Sequence, residues 1–268
     1  MGKIYTLVNQ KGGVGKTTTA INIGAYLASF EQRVLLIDID PQANATSSLG
    51  VDKNVIRGGT YEVLLDSADI SQHILHNPRL KVSLLPSSPA LAGAEVELVT
   101  ANEREFRLAN ALTNLVERYD YILVDCPPSL GFLTLNGLVA ARDGVIIPVQ
   151  CEYLALEGIG QLTHTLTRVR KALVSNLEIR GVVLTMHDAR TNLSSDVITE
   201  VKNHFQTRVF NTIIPRSVRL AEAPSYGQPI SLYAPTSTGA VAYAQLTREI
   251  LLGDGISVPV LQEEYYGS

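Results

Sequence analysis

A glycine-rich stretch with two lysines occupies residues 9–19 and reads Asn-Gln-Lys-Gly-Gly-Val-Gly-Lys-Thr-Thr-Thr. It follows an apolar run over residues 4–8 and precedes apolar residues at helical spacing. A strand, a glycine-rich turn and a helix N-terminus in this order bind phosphate, because backbone N–H groups converge on the anion and the helix dipole favours negative charge. In such a loop Lys16 would reach the β- and γ-phosphates of a nucleotide, and the Thr17 hydroxyl would ligate Mg²⁺.

Three aspartates follow apolar runs further along the chain. Asp38 and Asp125 end the continuous apolar runs at residues 34–38 and 121–125, as central parallel strands do at their functional end. The period of two along extended chain puts Asp40 on the same side as Asp38. One such Asp is as readily a helix cap or turn former, but three beside a phosphate loop favour chemistry. An Asp after four apolar residues is typical of Walker B, which predicts that Asp125 and Asp38 hold Mg²⁺ through water.

The loop departs from the common phosphate-loop pattern G-x-x-x-x-G-K-[ST], because the first glycine would fall on Gln10 and Lys11 opens the loop. A glycine-rich turn with two solvated lysines is the alternative interpretation, and Gly-Lys-Thr at a helix start argues against it. Lys-Gly-Gly-x-Gly-Lys-Thr resembles the deviant Walker A motif of the ParA/MinD family of ATPases. That resemblance implies that Lys11 crosses to the nucleotide of a partner subunit.

Further motifs resemble the chromosomal ParA proteins of this family, often called Soj. Asp-x-Asp-Pro-Gln at residues 38–42 is similar to switch I, and Asp-Cys-Pro-Pro-Ser-Leu-Gly at residues 125–131 is similar to switch II. Residues 150–153, 185–192 and 215–225 carry other matching motifs, so the resemblance covers residues 1–252. It implies an ATPase that forms an ATP-dependent sandwich homodimer, binds double-stranded DNA non-specifically and hydrolyses ATP under stimulation by a ParB-type partner.

The resemblance also implies roles for individual residues, with ATP and Mg²⁺ as the cofactors. The implied catalytic residues are Lys11, Lys16 and Asp40, of which Asp40 would position or activate the attacking water. Met186 and Pro215 would lie against the adenine. With these two, the expected nucleotide-binding residues are Lys11, Gly12, Gly13, Val14, Gly15, Lys16, Thr17 and Thr18.

Basic residues are concentrated in one part of an acidic chain. The net charge is −4, but residues 180–219 contain six basic and three acidic residues. A basic stripe on an acidic protein can hold a polyanion without indiscriminate binding. The family resemblance implies DNA contacts by Arg190 and Arg219, each expected in a loop after a buried strand. A solvated surface arginine is the alternative interpretation of each. Because the sequence contains no zinc finger and no Lys/Arg-dense helix, we expect any binding to be to the DNA backbone, weak for one subunit and strengthened by dimerisation.

The elements that position these residues alternate between buried strands and amphipathic helices. Besides the runs already named, strands are predicted at residues 80–85, 145–149, 182–186 and 212–214. Helices are predicted at residues 61–65, 70–75, 133–141 and 238–252, around residues 106–116, after residue 160 and around residues 197–205. This alternation predicts an α/β fold with a mostly parallel, doubly wound sheet and helices on both faces. The family resemblance implies that this fold is a P-loop NTPase of the deviant-Walker type.

Length and composition are compatible with one large domain. The chain has 268 residues, 46% of them hydrophobic, which is enough for a single ATPase domain over residues 1–252. Residues 253–268 are expected to be a mobile tail. Cys126 and Cys151 lack C-x-x-C spacing and fit buried apolar positions better than a metal site or disulfide. The absence of a signal peptide and of a long apolar run predicts a cytoplasmic protein without membrane contact, associated with the nucleoid if it binds DNA.

Other function classes are compatible with a phosphate loop. A MinD-like membrane-cycling ATPase would need a basic amphipathic C-terminal helix, whereas residues 256–266 are acidic and contain proline. A bacterial protein-tyrosine kinase is suggested only by Tyr265 and Tyr266, and an iron–sulfur carrier would need bridging cysteines. A metabolic kinase or ligase stays possible on the phosphate loop alone. Lys11 and the two arginines argue against it.

Overall fold

The structure is a computed structural model that describes residues 2–152 and 155–258. The described residues form one sheet of seven strands. In chain order these are β1 (Lys3–Leu7), β2 (Val34–Asp38), β3 (Leu75–Asn77), β4 (Val82–Leu85), β5 (Tyr121–Asp125), β6 (Gly144–Gln150) and β7 (Ile179–Thr185). Their order in the sheet is β3-β4-β2-β5-β1-β6-β7. All pairings are parallel except the antiparallel pair of β3 and β4.

Helices cover both faces of this sheet. They are α1 (Lys16–Ser29), α2 (Asn44–Ser48), α3 (Thr60–Leu65), α4 (Leu91–Glu97), α5 (Arg107–Leu112), α6 (Phe132–Ala140), α7 (Ala155–Ala172), α8 (Asn192–Phe205), α9 (Val218–Glu222), α10 (Ile230–Tyr233) and α11 (Thr238–Gly253). Four short 3₁₀ turns, Ile70–Gln72, Leu98–Thr100, Gln206–Arg208 and Ala223–Tyr226, complete the regular structure of the described residues. The predicted α/β fold with a mostly parallel sheet is confirmed.

Alternate residues of the central strands enter different cores. Leu36 packs into the cluster that contains residues of α1 and α11. Its neighbours Leu35 and Ile37 pack on the opposite face, in the cluster that contains residues of α4, α5 and α6. A third cluster joins β6 and β7 to α7 and α8. Because both faces are covered, the strands are apolar throughout, which is why their sequences showed no alternation.

The strand predicted at residues 212–214 is wrong. The segment runs beside β7 with isolated bridges only, Val182 to Val209 and His187 to Pro215. Between these bridges, the carboxylate of Glu249 accepts hydrogen bonds from the backbone N–H groups of Asn211 (2.6 Å) and Thr212 (3.0 Å). A side chain of α11 therefore takes two backbone donors of this segment, while the N–H of Ile214 still donates to the carbonyl of Leu184 in β7 at 2.9 Å.

The helix predicted at residues 70–75 is also wrong. The structure has one 3₁₀ turn, Ile70–Gln72, whose N-cap Asp69 accepts from the backbone N–H of Ser71 at 3.0 Å. The chain then enters β3, an edge strand whose first two residues are exposed. Such a short, exposed strand carries no apolar pattern that a sequence would reveal.

The end of the described chain is packed against the domain rather than extending from residue 253 as a tail. Gly253 is the last residue of α11. The carboxylate of Asp254 accepts hydrogen bonds from the hydroxyls of Tyr5 (2.6 Å) and Tyr121 (2.9 Å) and pairs with Arg180. Ile256 and Val258 pack against the core. The rest of the predicted tail, residues 259–268, lies outside the described residues, as does Tyr153 of the motif at 150–153.

Among the described residues, no helix combines the length and the apolar character that crossing a membrane would require.

Candidate nucleotide site

The glycine-rich loop joins the carboxyl end of β1 to the start of α1, as the sequence predicts. Gly13 and Gly15 have φ angles of 74° and 88°, a left-handed conformation in which a Cβ would be strained. Gly15 immediately precedes α1, and no side chain caps this helix end in the structure. The first N–H groups of α1 are thus directed at the loop, where an anion can accept from them.

The two lysines of the loop have different surroundings. Lys16 is 6% exposed, and its Nζ donates to the backbone carbonyl of Lys11 at 3.1 Å. Burial lowers the pKa of the Lys16 ammonium, while the charges of Asp125 and Asp40 oppose that shift. The Lys11 ammonium makes no hydrogen bond or ion pair with any of the residues described. Lys16 is therefore directed into its own loop, and Lys11 is left available for another partner.

Asp38 and Asp125 lie side by side on neighbouring strands, in register as Cα partners of β2 and β5. The Thr17 hydroxyl donates to Oδ2 of Asp125 at 2.7 Å. Oδ1 of Asp125 is buried and has no hydrogen-bond partner among the described residues. Burial, aided by the charge of Asp38, raises the pKa of the Asp125 carboxyl well above its ordinary value, against the hydrogen bond from Thr17.

These features fit a divalent cation. A hydroxyl and a carboxylate with one unsatisfied buried oxygen are hard oxygen donors, which Mg²⁺ prefers. A cation beside Asp125 would also offset the burial that disfavours its ionised form. Thr17 and Asp125 are therefore the residues that would hold Mg²⁺ at this site.

Asp38 is engaged elsewhere. Its Oδ2 accepts from the backbone N–H and the hydroxyl of Thr46, at 2.8 and 2.7 Å, and its Oδ1 accepts from the N–H of Asp40 at 3.1 Å. Burial raises the pKa of Asp38 to about 6, against the lowering effect of these hydrogen bonds. Asp38 thus holds the loop after β2 in place, and its predicted contact to Mg²⁺ through water stays a prediction.

Asp40 faces the phosphate loop across a cavity of about 380 Å³. Its Oδ1 accepts from the N–H of Gln42 at 2.9 Å, and its Oδ2 has no partner among the described residues. The lining comprises Gly12, Gly13, Gly15, Lys16, Thr17, Thr18, Ile21, Asp40, Gln42, Asn44, Ser48, Pro128, Met186 and Pro224. The cavity thereby brings together most of the sequence-predicted residues around an open carboxylate oxygen.

Met186 and Pro215, both predicted at the adenine, are placed differently. Met186 lines the cavity and has a φ of 54°, a conformation that non-glycine residues adopt mainly where the surrounding structure imposes it. Pro215 is not among the lining residues and instead bridges His187. Pro224 takes part in the lining, although the sequence analysis gave it no role. Its motif was noted, but its approach to the cavity depends on how residues 223–226 pack on α2.

Asn22 is a further residue that the sequence analysis missed. It is 4% exposed on α1, donates to the carbonyl of Thr18 at 2.7 Å and accepts from the N–H of Ile230 at 2.8 Å. One side chain thus joins the end of the phosphate loop to α10. An Asn within a helix, three residues after Thr19, carries no sequence signal for this contact.

Arg190 and Arg219 lie in two segments that backbone hydrogen bonds join beyond the end of β7. Arg190 follows β7, and Arg219 lies in α9 rather than in a loop after a strand. The N–H of His187 donates to Ile214 at 3.1 Å, and the N–H of Arg216 donates to His187 at 2.9 Å. Both arginine side chains are exposed. The structure therefore places the segments that carry them next to each other, beside Met186 of the cavity.

Fewer of the basic residues at 180–219 are available at the surface than the sequence suggests. Arg180 has a side chain that is only 19% exposed and pairs with Asp254 at 3.1 Å. Its guanidinium also lies over the rings of Tyr5 and Phe210. Arg180 therefore stabilises the core and the end of α11, and it cannot take part in a surface that holds a polyanion.

A parallel sheet with a glycine-rich loop after β1, a buried lysine at the helix start and a Thr–Asp pair at the end of β5 defines a P-loop nucleoside triphosphatase. Comparison with known proteins narrows this class. The AAA domain family model matches residues 2–179. The chain is 54% identical over 250 residues to the sporulation initiation inhibitor protein Soj of Bacillus subtilis, covering 93% of this chain and 98% of the relative.

Two further comparisons agree with this class. The chromosome partitioning protein ParA of Myxococcus xanthus is 52% identical over 255 residues, covering 95% of this chain and 89% of the relative. A crystal structure of cobyrinic acid a,c-diamide synthase from Mycobacterium smegmatis with bound ADP and magnesium has a TM-score of 0.82 at 38% identity, covering 98% of this chain and all of that one. The chain belongs to the ParA/Soj family of chromosome-partitioning ATPases, which confirms the resemblance seen in its sequence.

Proposed function

We propose that this chain binds ATP with Mg²⁺, dimerises on ATP, binds duplex DNA non-specifically as a dimer and leaves DNA when a ParB-type partner stimulates hydrolysis. One observation carries the proposal beyond family membership. Met186 and Pro224 line the nucleotide cavity, and each lies within five residues of an exposed arginine, Arg190 or Arg219. The candidate nucleotide site and the candidate DNA surface therefore share the same segments of chain.

Different residues of the cavity would have different roles in phosphoryl transfer. The Lys16 ammonium would exchange the carbonyl of Lys11 for β- and γ-phosphate oxygens, and the loop N–H groups would hold the phosphates. Thr17 and Asp125 would hold Mg²⁺, which would supply positive charge to offset the negative charge that develops on the phosphate. Oδ2 of Asp40, open to the cavity, would orient the attacking water and accept its proton.

The surroundings of Lys11 support the proposed dimer. The residue is half-exposed, and its ammonium makes no hydrogen bond or ion pair within the described part of this chain, so its charge is available to a group of another subunit. A nucleotide phosphate of a second subunit would pair with it. ATP would then be required to bring two subunits together, and hydrolysis would remove one of the charges that holds them.

The dimer would present two copies of Arg190 and Arg219 to DNA. Contacts to phosphates release condensed counterions and carry no sequence information, so binding would be non-specific and salt-dependent. One subunit offers few contacts, and two subunits on one surface double them. A DNA-bound ParB-type partner that stimulates hydrolysis would clear the protein locally, and the cytoplasmic protein would be associated with the nucleoid while ATP is bound.

The test is binding of the full chain to duplex DNA of arbitrary sequence in the presence of ADP, ATP or a non-hydrolysable ATP analogue. The proposal expects binding with ATP and the analogue, little binding with ADP, and a bound species of dimeric mass. Equal binding in all three nucleotide states would exclude the nucleotide switch. Absence of binding in all three would favour a metabolic ATPase of the same fold.

A further inference from the structure

Each of the two arginines assigned to DNA is already held by a carboxylate of its own chain. Nε of Arg190 donates to Oδ1 of Asp188 at 2.8 Å, and the second guanidinium nitrogen donates to Oδ2 at 2.6 Å. The backbone N–H of Arg190 adds a third hydrogen bond to Oδ1 at 3.1 Å. Hydrogen bonds from Arg190 hold the pKa of the Asp188 carboxyl below its ordinary value. At neutral pH Asp188 and Arg190 are therefore both charged.

The second arginine is also paired with a carboxylate, through a single hydrogen bond in a different segment. The guanidinium of Arg219 donates to Oε2 of Glu222 at 3.0 Å, one turn further along α9. The hydroxyl of Tyr233 donates to the same oxygen at 2.9 Å. The Tyr233 ring stacks on Tyr226 with ring centroids 4.8 Å apart. Glu222 is thus fixed from two sides in contact with Arg219.

We propose that Asp188 and Glu222 compete with DNA phosphate for Arg190 and Arg219 and thereby lower the DNA affinity of each subunit. The inference rests on the proposed function, since it concerns the same surface. A guanidinium that binds phosphate must give up its carboxylate, and the carboxylate it leaves then lies near the phosphate and repels it. The free energy of DNA binding is reduced by both effects.

This competition adds to the dependence on dimerisation. Two subunits already double the number of phosphate contacts. With each arginine partly neutralised by a carboxylate, a single subunit binds DNA still more weakly, so a larger share of the binding requires the dimer. Asp188 and Glu222 therefore act as positioning residues for the arginines. They lower the affinity for DNA, so that the dimer binds DNA and the monomer dissociates from it.

The expected effect is modest for each pair and larger in the dimer. An exposed ion pair changes an equilibrium by about 1.5- to fivefold. Because a dimer contains each pair twice, removing one of the carboxylates would tighten binding about two- to thirtyfold. The salt slope of the variants should be as steep as that of the wild type or steeper, since no phosphate contact is lost.

The experiment compares Asp188→Asn and Glu222→Gln with a control of equal charge change, Asp196→Asn. Asp196 is exposed on α8 and makes no hydrogen bond or ion pair with the residues described. Affinity for a labelled duplex of arbitrary sequence is measured with the non-hydrolysable ATP analogue, and dimerisation is measured in parallel by size-exclusion chromatography. Both variants should bind DNA at least about twofold more tightly than the control variant, with dimerisation unchanged.

A second set of variants, made in Arg190→Ala, separates the effect of the Arg190–Asp188 ion pair from the effect of the change in net charge. In Arg190→Ala, adding Asp188→Asn should tighten binding no more than the control substitution does, because there is no guanidinium to release. Gains equal to those of Asp196→Asn, or gains that persist without Arg190, would overturn the inference while leaving the proposed function intact. A wild-type protein that does not bind DNA with the analogue would instead refute the proposed function, and the inference with it.

Discussion

The Thr17 hydroxyl donates a 2.7 Å hydrogen bond to Oδ2 of Asp125, which joins the start of α1 to the end of β5. The other oxygen of Asp125 is buried and without a partner among the described residues. Since these are the two side chains that would hold Mg²⁺, the hydroxyl of Thr17 has a role that can be tested apart from the rest of the loop.

Replacing Thr17 with Ala should reduce Mg²⁺-dependent ATP turnover by at least about tenfold, because one oxygen ligand is lost and Asp125 loses its hydrogen bond. Thr17→Ser keeps the hydroxyl and is the matched control. Turnover is measured over a range of Mg²⁺ concentrations. An Ala variant whose Mg²⁺ dependence equals that of the Ser variant would show that Thr17 does not contact the metal.

Lys16→Ala should lower ATP turnover by about a hundredfold or more, since it removes the charge that meets the β- and γ-phosphates. Lys171→Ala, at an exposed lysine in the last turn of α7, serves as the control and should behave as the wild type does. The readout is phosphate release together with nucleotide binding. Undiminished hydrolysis by Lys16→Ala would refute the phosphate-loop assignment.

Asp40→Ala should separate ATP binding from hydrolysis. Lys16, Thr17 and the loop backbone stay in place, so the variant should bind ATP and dimerise, yet no carboxylate remains to orient the water. A dimer should accumulate on ATP and be visible by size-exclusion chromatography. Wild-type turnover in Asp40→Ala would require this role to be withdrawn.

Lys11→Ala should behave in the opposite way, because it removes the ammonium that is proposed to reach the partner's nucleotide. Both dimerisation and turnover should fall, while ATP binding by the single subunit is kept. Chromatography with the non-hydrolysable analogue, compared with Asp40→Ala under the same conditions, gives the contrast. Full dimerisation of Lys11→Ala would place its contact within its own subunit.

Asp254 offers a prediction about stability. Its side chain is 4% exposed and holds Arg180 together with two tyrosine hydroxyls. Asp254→Ala should lower the free energy of unfolding by about 3 kcal/mol, because it leaves a largely buried guanidinium unpaired. The control is Glu178→Ala, which breaks exposed pairs with Arg170 and Arg208 and should cost at most about 1 kcal/mol. Urea unfolding of both variants is the measurement, and equal losses would mean that the Asp254 cluster is no more stabilising than a surface pair.

The parts of the fold that the sequence predicts well are those where burial is complete. β2 and β5 match the predicted runs at both ends, because a strand covered on both faces must be apolar along its length. The segment 212–214 ends in two apolar residues and resembled a short strand. There the carboxylate of Glu249, from α11, accepts the N–H groups of Asn211 and Thr212, and this contact between distant parts of the chain has no local sequence pattern.

The candidate site likewise contains residues that the sequence predicts and residues that it does not. Lys16, Thr17, Asp40 and Asp125 are predictable because each lies at the carboxyl end of a strand or in the segment after it, and the carboxyl ends of parallel strands meet at one edge. Asn44, Ser48 and Pro224 enter the cavity through packing of short helices on one another, which leaves no local pattern. Arg190 and Asp188 are only two residues apart, so their ion pair could have been predicted from the sequence. The hydrogen bond from Tyr233 to Glu222, in contrast, depends on how α10 lies against α9.

The measurement that tests the account most directly is a salt titration of DNA binding, with the ATP analogue present, for the wild type and for Arg190→Glu/Arg219→Glu. Two arginines in each of two subunits would contact about four phosphates, so the charge reversal should flatten the slope of log affinity against log salt by about 3.6. Arg79→Glu, in the turn between β3 and β4 at the opposite edge of the sheet, should leave the slope as it is. We predict weak, sequence-independent binding by the double variant with dimerisation retained. An unchanged affinity and slope would contradict this prediction and show that the two arginines make no contact with DNA phosphates.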